Sequence, residues 1–382
     1  MKTQLSIEIY SSVSELPSNW NDFAIENIFL SKQYLETLEK SAPINMFCHF
    51  IGLFKDSELV GIALSQFLNL NHLESFGERD KCIKNAVRNT FLKKFCSHIL
   101  IIGNNMLTGQ NAFAFSDKTD EVQVLLALKT AAENLKTVFR NKGLNVHIST
   151  YKDFLAEKLT VFHQAGFKDY FQFSAQPNMI FEIPNHWKSN QDYIDALSKK
   201  YRDQYKRARK KAEGVEKRKM ELEDIIKHEE TIFDLYFHVA KNAHFNTFFL
   251  RKNHFRIFKE LLQDKFLFYG YFLDEKLIGF NTIIKNGQVL DTYFLGYDDS
   301  IQREKMLYLN MLYDMVAYSI NQGFKEVIFA RTALEIKSSI GAKPMKMYSF
   351  AKHSNPIADL AFEKVYCYLE PEVVWKERNP FK

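Results

Sequence analysis

Apolar and polar positions along residues 266–350 change their period several times, and each change marks an element. Residues 266–273 form a continuous apolar run of strand length, followed by turn residues at 274–276 and a second strand over 277–285. Asn286-Gly287 is a strong hairpin signal, which predicts a type I′ turn with positive φ at both central residues. A third strand over 288–297 follows. From 303 to 321 apolar residues fall at Met306, Leu309, Leu312, Tyr313, Val316 and Ile320, a helical spacing that stops at Gly323. A strand at 325–329, a short helix at 332–339 and a strand at 344–350 complete the series. An antiparallel meander followed by a crossover helix predicts an α/β protein (an α+β mixed sheet) with helices on both faces.

The same series occurs earlier in the chain. "GLFKDSELVG" at 52–61 and "GYFLDEKLIG" at 270–279 align residue for residue, with Gly52/Gly270, Asp56/Asp274, Leu59/Leu277 and Gly61/Gly279 all 218 apart. A helix over 121–142, Gly143 and a strand over 144–149 repeat the later helix, Gly323 and strand. A helix over 154–164 and Ala165-Gly166-Phe167 then match Ile340-Gly341-Ala342. The first copy carries an insertion assigned to 69–94, whose His72, Glu74, Glu78 and Arg79 read as a polar loop. Two copies of one domain are therefore expected, over 1–178 and 179–382.

Composition narrows the class. The 382 residues are 46% hydrophobic and 25% charged, with 35 Phe and 18 Tyr, enough for aromatic-rich cores. No apolar run reaches the ~20 residues of a membrane span, and residues 1–8 alternate rather than forming a signal-peptide core. The expectation is a cytoplasmic protein. Cys48, Cys82, Cys96 and Cys367 contain no CxxC pair, which leaves free thiols rather than a zinc or redox motif. No P-loop, nucleophile elbow or HExxH is present. His238, His244 and His254, six and ten residues apart, lack ligand spacing, so no metal is expected.

The net charge of +5 is concentrated in one place. Residues 198–219 hold eleven basic and three acidic side chains, so the rest of the chain is slightly acidic. Ile194, Leu197, Tyr201, Tyr205, Ala208, Ala212 and Val215 make one apolar stripe, which predicts a basic helical arm over 190–219 with a break at Gly214. Lys199, Lys200, Arg202, Lys206, Arg207, Arg209 and Lys210 occupy its other faces. They are either a solvated surface or a site for tRNA, CoA phosphates or lipid headgroups.

Three passages carry a family resemblance. "LSKKYRDQYKRARKK" (197–211), "VLDTYFLGYDD" (289–299) and "GFKEVIFARTALEIKSSIGAKP" (323–344) resemble the basic helix, central strand and lysine-bearing helix of the FemAB-like group of GNAT acyltransferases. The resemblance implies two tandem GNAT-like domains, the first degenerate and the second catalytic. The implied reaction is transfer of an acyl group to an amine, with acyl-CoA as co-substrate and no tightly bound cofactor. The amine would belong to a small molecule or a cell-envelope precursor. An aminoacyl-tRNA-dependent aminoacyl transferase and a non-catalytic binding protein are the alternatives. The implied partners are accordingly the substrate, with tRNA or peripheral contact with a membrane in addition, on a monomer or homodimer. GNAT enzymes hold the CoA pyrophosphate on a glycine-rich loop. The corresponding residues here, Gln302, Arg303 and Lys305 through Tyr308, include no glycine.

Acyl transfer to an amine needs a proton acceptor, an oxyanion partner and an acid for the leaving group. Asp291 and Tyr293 share parity on the third strand, with Leu295 continuing that face. Arg331 follows an apolar strand directly, and Glu335 and Lys337 lie two apart on the next helix, on different faces. These five are the expected catalytic residues.

Overall fold

The computed structural model describes residues 5–72, 95–242, 246–369 and 374–382. Beyond residue 72 the insertion assigned to 69–94, with Glu74, Glu78 and Arg79 and the His72 side chain, lies outside the described residues, as does His244. The first strands are β1 (Ser6–Tyr10), β2 (Met46–Lys55), β3 (Glu58–Asn69), β4 (His98–Ile102), β5 (Phe113–Phe115), β6 (Ile148–Phe154) and β7 (Phe171–Phe173). Next come β8 (Asn178–Glu182), β9 (Val215–Lys219), β10 (Phe266–Leu273), β11 (Lys276–Asn286) and β12 (Val289–Tyr297). The last are β13 (Glu326–Ala330), β14 (Lys343–Met345) and β15 (Tyr348–His353).

Among the described residues these strands form two sheets of one design. The first has the order β1-β2-β3-β4-β6-β15-β7, with β5 added to β3; the second has the order β9-β10-β11-β12-β13-β8-β14. In each sheet the pairing is antiparallel except at one parallel step, β4 to β6 or β12 to β13. The long helices Glu121–Asn141 and Leu307–Asn321 supply the crossovers those parallel steps require. Even local irregularities repeat: the β2–β3 ladder slips between Leu53 and Phe54, and the β10–β11 ladder between Tyr271 and Phe272, again 218 apart.

The chain divides into two compact units that are not linear halves. One comprises Met1–Ala175, His244–Arg251 and Lys346–Glu372; the other comprises Gln176–Ala243, Lys252–Met345 and Val373–Lys382. The expected split into 1–178 and 179–382 thus misassigns the chain's last strand. The apolar run at 344–350 is two strands rather than one: β14 pairs with β8, whereas β15 pairs with β6 and β7. β8 and β15 occupy matching places in the two sheets, and each comes from chain that follows the other sheet's edge strand. Sequence periodicity shows that a strand exists but not which sheet its open N–H and C=O groups complete.

The hairpin turns follow a different rule from the one expected. Asp56-Ser57 and Asp274-Glu275 have φ of 49° and 68°, and 49° and 60°, which makes these the type I′ turns. Asn286 pairs with Val289, so Gly287 and Gln288 are the central residues there, and only Gly287 has positive φ (58°), as in a type II′ turn. In each unit, aromatic and aliphatic side chains from the sheet close on the crossover helix. The helix meets them with Leu125, Leu128 and Phe139 in the first unit and with Met311, Leu312 and Val316 in the second.

Candidate active site

In the second unit β12 is the strand around which the chemistry-bearing residues collect. It pairs regularly with β11 up to Ile283–Thr292, then the register slips so that Asn281 faces Leu295. Tyr293 and Phe294 together stand opposite Thr282, a β-bulge. Both rings lie against His254, which opens the helix His254–Leu262. Gly296 faces the helix Glu229–Lys241 so closely that a Cβ would stand 2.6 Å from the Tyr236 nitrogen. By alternation Leu295 points the other way. The expectation that Leu295 continues the face of Asp291 and Tyr293 is therefore corrected by the bulge, which flips the alternation.

Asp291 sits where β12 and β13 part. The parallel ladder covers only Val289–Glu326, Leu290–Val327 and Asp291–Ile328. Asp291 is 5% exposed, and its Oδ2 has no hydrogen-bond partner. Burial raises its carboxyl to about 7; a hydrogen bond from Asn286 opposes this, and the charge of Glu326 adds to it. Two residues on, the Tyr293 hydroxyl lies 3.0 Å from Nε2 of His254, a fully buried ring flanked by Phe255 and Phe258. In sequence His254 shows no ligand spacing, and its place beside Tyr293 is set by the fold. Its signal was the buried stripe it shares with Phe255, Phe258 and Leu262.

The other strand of the fork ends in a strained turn. Ala330, Thr332 and Ala333 have φ of 56°, 67° and 47°, costing on the order of 1 kcal/mol or more each. Two basic side chains hold this turn. Lys337 is 5% exposed and donates from Nζ to the carbonyls of Phe329 (2.5 Å) and Arg331 (2.6 Å), and burial lowers its ammonium to about 7. Arg331 donates from Nε to the Gln176 carbonyl at 2.9 Å, and the Thr332 N–H donates to the Gln176 side chain. Glu335 is on the opposite side of its short helix, ion-paired with Arg378. It helps line a cavity of about 450 Å³ with Lys200, Tyr201, Gln204, Ile336 and Ser339. The five expected catalytic residues thus fall into a β12 pair, a pair bracing the turn after β13, and one cavity-lining carboxylate.

The basic arm is not one helix. It comprises helices Asn190–Ala196 and Lys199–Lys211, followed by the edge strand β9. Leu197 joins the two helices in extended conformation, and Gly214, with φ of 85°, turns the chain into β9. A row of charges at 216–219 suits an edge that must not recruit a further strand. Within the second helix the cations separate. Arg209 points inward: its Nη1 donates to Asp314 at 2.7 Å and to Asn310 at 3.2 Å, and its guanidinium covers the Tyr205 ring. Asp314 in turn accepts from the Tyr271 hydroxyl, which accepts from Asn281. Arg202 donates to the Leu197 carbonyl at 2.9 Å. Lys199, Lys200, Lys206, Arg207 and Lys210 are exposed. Of the seven cations expected to meet an anion, Arg202 and Arg209 are engaged within the fold.

The stretch that replaces the glycine-rich loop is built without glycine. Asp298 caps a short helix, Asp299–Lys305, by accepting from the Ser300 N–H. Met306 then takes φ of 49°, and the long helix Leu307–Asn321 starts from it without a side-chain cap. The pattern read as a single helix from 303 is therefore broken at Met306. Lys305 donates to the Glu213 carbonyl, Gln302 accepts the Met306 N–H through its carbonyl, and Arg303 is exposed.

Among the described residues no group of His, Cys, Asp and Glu could hold a metal ion, and no helix is long and apolar enough to cross a membrane. The family model described as "Acetyltransferase (GNAT) domain" matches residues 199–338, from the basic helix through Lys337. No curated protein matches the chain. Among solved structures, FemX is similar over 93% of this chain and 99% of its own, with TM-score 0.53 and 12% identity. A conserved protein of unknown function from Bacteroides thetaiotaomicron covers 91% of this chain and 99% of its own, with TM-score 0.51 and 11% identity. A tandem GNAT protein from the clavulanic acid biosynthesis pathway aligns over 92% and 99% at TM-score 0.49 and 9% identity. Residues 199–338 thus match a GNAT acetyltransferase domain, and the chain as a whole, with its two sheets of one design, has a FemX-like fold.

Proposed function

We propose that the second unit transfers an acyl group from acyl-CoA or a similarly activated donor to an amine, and that the first unit is not a second catalyst. The observation that carries this reading is Asp291: a buried carboxylate with an unpartnered oxygen, titrating near neutral pH, at the point where β12 and β13 separate. In this reading the amine nitrogen attacks the donor carbonyl and Asp291 accepts the proton it loses. Tyr293 gives a proton to the departing thiolate or alkoxide, and His254 holds the Tyr293 hydroxyl in place. Arg331 and Lys337 are positioning residues that keep the turn at 330–333 in its strained form. The cavity beside Glu335 and Lys200 and the surface of Gln302, Arg303 and Lys305 are the proposed seats for the anionic parts of donor and acceptor.

The exposed cations of the basic helix favour one second reading, a donor carried on tRNA. Turnover with acetyl-CoA, a long-chain acyl-CoA and aminoacyl-tRNA, each with a panel of amines, separates the two. Asp291→Asn and Tyr293→Phe are expected to lower kcat about 10²-fold with the productive donor; full turnover in both folded variants overturns the assignment. Lys206→Glu/Lys210→Glu is expected to raise KM modestly for acyl-CoA. For tRNA it would abolish binding, whose log–log salt slope should be about −0.7 to −0.9 per phosphate neutralised.

A further inference from the structure

We propose that His98, His147 and His353, in the first unit, form an acid-sensitive latch that holds β15 in its sheet. His98 opens β4, His147 directly precedes β6 and His353 ends β15, and these three strands are neighbours. The rings form a continuous stack. His98 and His147 lie 5.0 Å apart at 13°, and His147 and His353 lie 6.5 Å apart at 1°.

Each ring of this stack accepts a hydrogen bond at one of its nitrogens. His98 donates from Nδ1 to the Asn145 carbonyl at 2.8 Å and accepts at Nε2 from the Asn71 amide at 3.2 Å. His147 accepts at Nδ1 from the backbone N–H of His98 at 3.3 Å. His353 donates from Nε2 to the Phe95 carbonyl at 2.7 Å and accepts at Nδ1 from the Asn355 N–H at 2.9 Å. Each ring therefore has one nitrogen already filled by an N–H. A second proton would face that donor and break the bond, and a second charged ring would stand within 7 Å of the first.

The surroundings give little relief. Phe67 packs on His98 and Phe362 on His353, and Ile99 and Cys96 belong to the same small cluster. Asp359, the acidic group that faces His353, accepts its backbone N–H at 2.7 Å. Burial, then the charges of His98 and His353, hold His147 down at about 4. The other buried imidazole of the unit, His49, lies behind Phe67 and Phe139. Burial, then Lys142, lowers it to about 4 as well, so it adds its own acid sensitivity.

The sign follows from linkage. A histidine near 6.5 unfolded and near 4 folded binds its proton more readily when released. The latch is complete above pH 6.5 and weakens as pH falls toward 4. Since β15 continues directly from β14 of the second sheet, its release would free the strand that returns the chain to the first unit.

Hydrogen exchange on the full chain, corrected for intrinsic rates, tests this at pH 8 and pH 5. Protection of the β15 amides is expected to fall about 30-fold at pH 5, the ratio that pKa values near 6.5 and 4 imply. β10, β11 and β12 should lose no protection at pH 5, since the buried Asp291 carboxyl favours the second unit at the lower pH. His147→Asn keeps an acceptor near the Nδ1 position and cannot charge, and should remove most of that loss while leaving the His49 contribution. Unchanged β15 protection in the wild type, or an undiminished loss in His147→Asn, overturns the proposal. Should that variant not fold, ring NMR titration of the wild type decides instead: His147 titrating near 4 supports the latch, and at 6 or above refutes it.

Discussion

At Asp291 the requirements of folding and of chemistry pull in opposite directions. A buried carboxylate with an open oxygen is costly when charged, yet only the charged form accepts a proton. Its folded pKa is raised above the unfolded value, so stability is highest while it stays protonated and declines as pH rises from about 4 through about 7. Asp291→Asn is therefore expected to melt higher than wild type at pH 8 and by a clearly smaller margin at pH 5, as thermal unfolding at the two pH values would measure. Acyl transfer through this group should rise as pH passes about 7. Lys337 makes a different prediction. Replacing it with Met leaves the Phe329 and Arg331 carbonyls without their donor beside a strained turn. A loss of about 2–4 kcal/mol in denaturant unfolding is expected.

On the scale of elements, the basic helix shows how one compositional signal covers two physical roles. Arg209 closes a chain of hydrogen bonds through Asp314 and Tyr271 to Asn281, whereas Lys206 and Lys210 are exposed. Arg209→Ala should cost about 2–3 kcal/mol, and Lys206→Ala and Lys210→Ala less than about 0.5 kcal/mol each, in the same denaturant assay. The β12 bulge is a second such case. It turns Tyr293 and Phe294 toward one helix and leaves Gly296 against another. Gly296→Ala is expected to destabilise by about 1–3 kcal/mol, since its Cβ would meet backbone that has no room to move.

For the whole molecule, the decisive feature is the crossing of the two terminal strands between sheets. Residues 1–178 lack β15, an interior strand of the first sheet, whereas residues 179–382 hold the second sheet complete but for Asn178 and carry β15 without its partners β6 and β7. Residues 1–178 expressed alone should show weak near-UV circular dichroism and lose dispersed NMR peaks, whereas residues 179–382 and the full chain should keep both. A 1–178 fragment that folds cooperatively by itself would show that β15 is dispensable.

The repeat, the meander, the crossover helices and the face shared by Asp291 and Tyr293 follow from sequence, because each depends on residue spacing within one element. So does the clustering of charge before the second core. What only the tertiary structure decided depends on neighbours far along the chain. It decided that Leu295 leaves the Asp291 face, that Arg209 turns inward to Asp314, that His254 meets Tyr293, and that β8 and β15 change sheets. Periodicity records which side of an element is buried. It carries no record of what that side is buried against, and both the candidate site and the strand exchange are made of such distant partners.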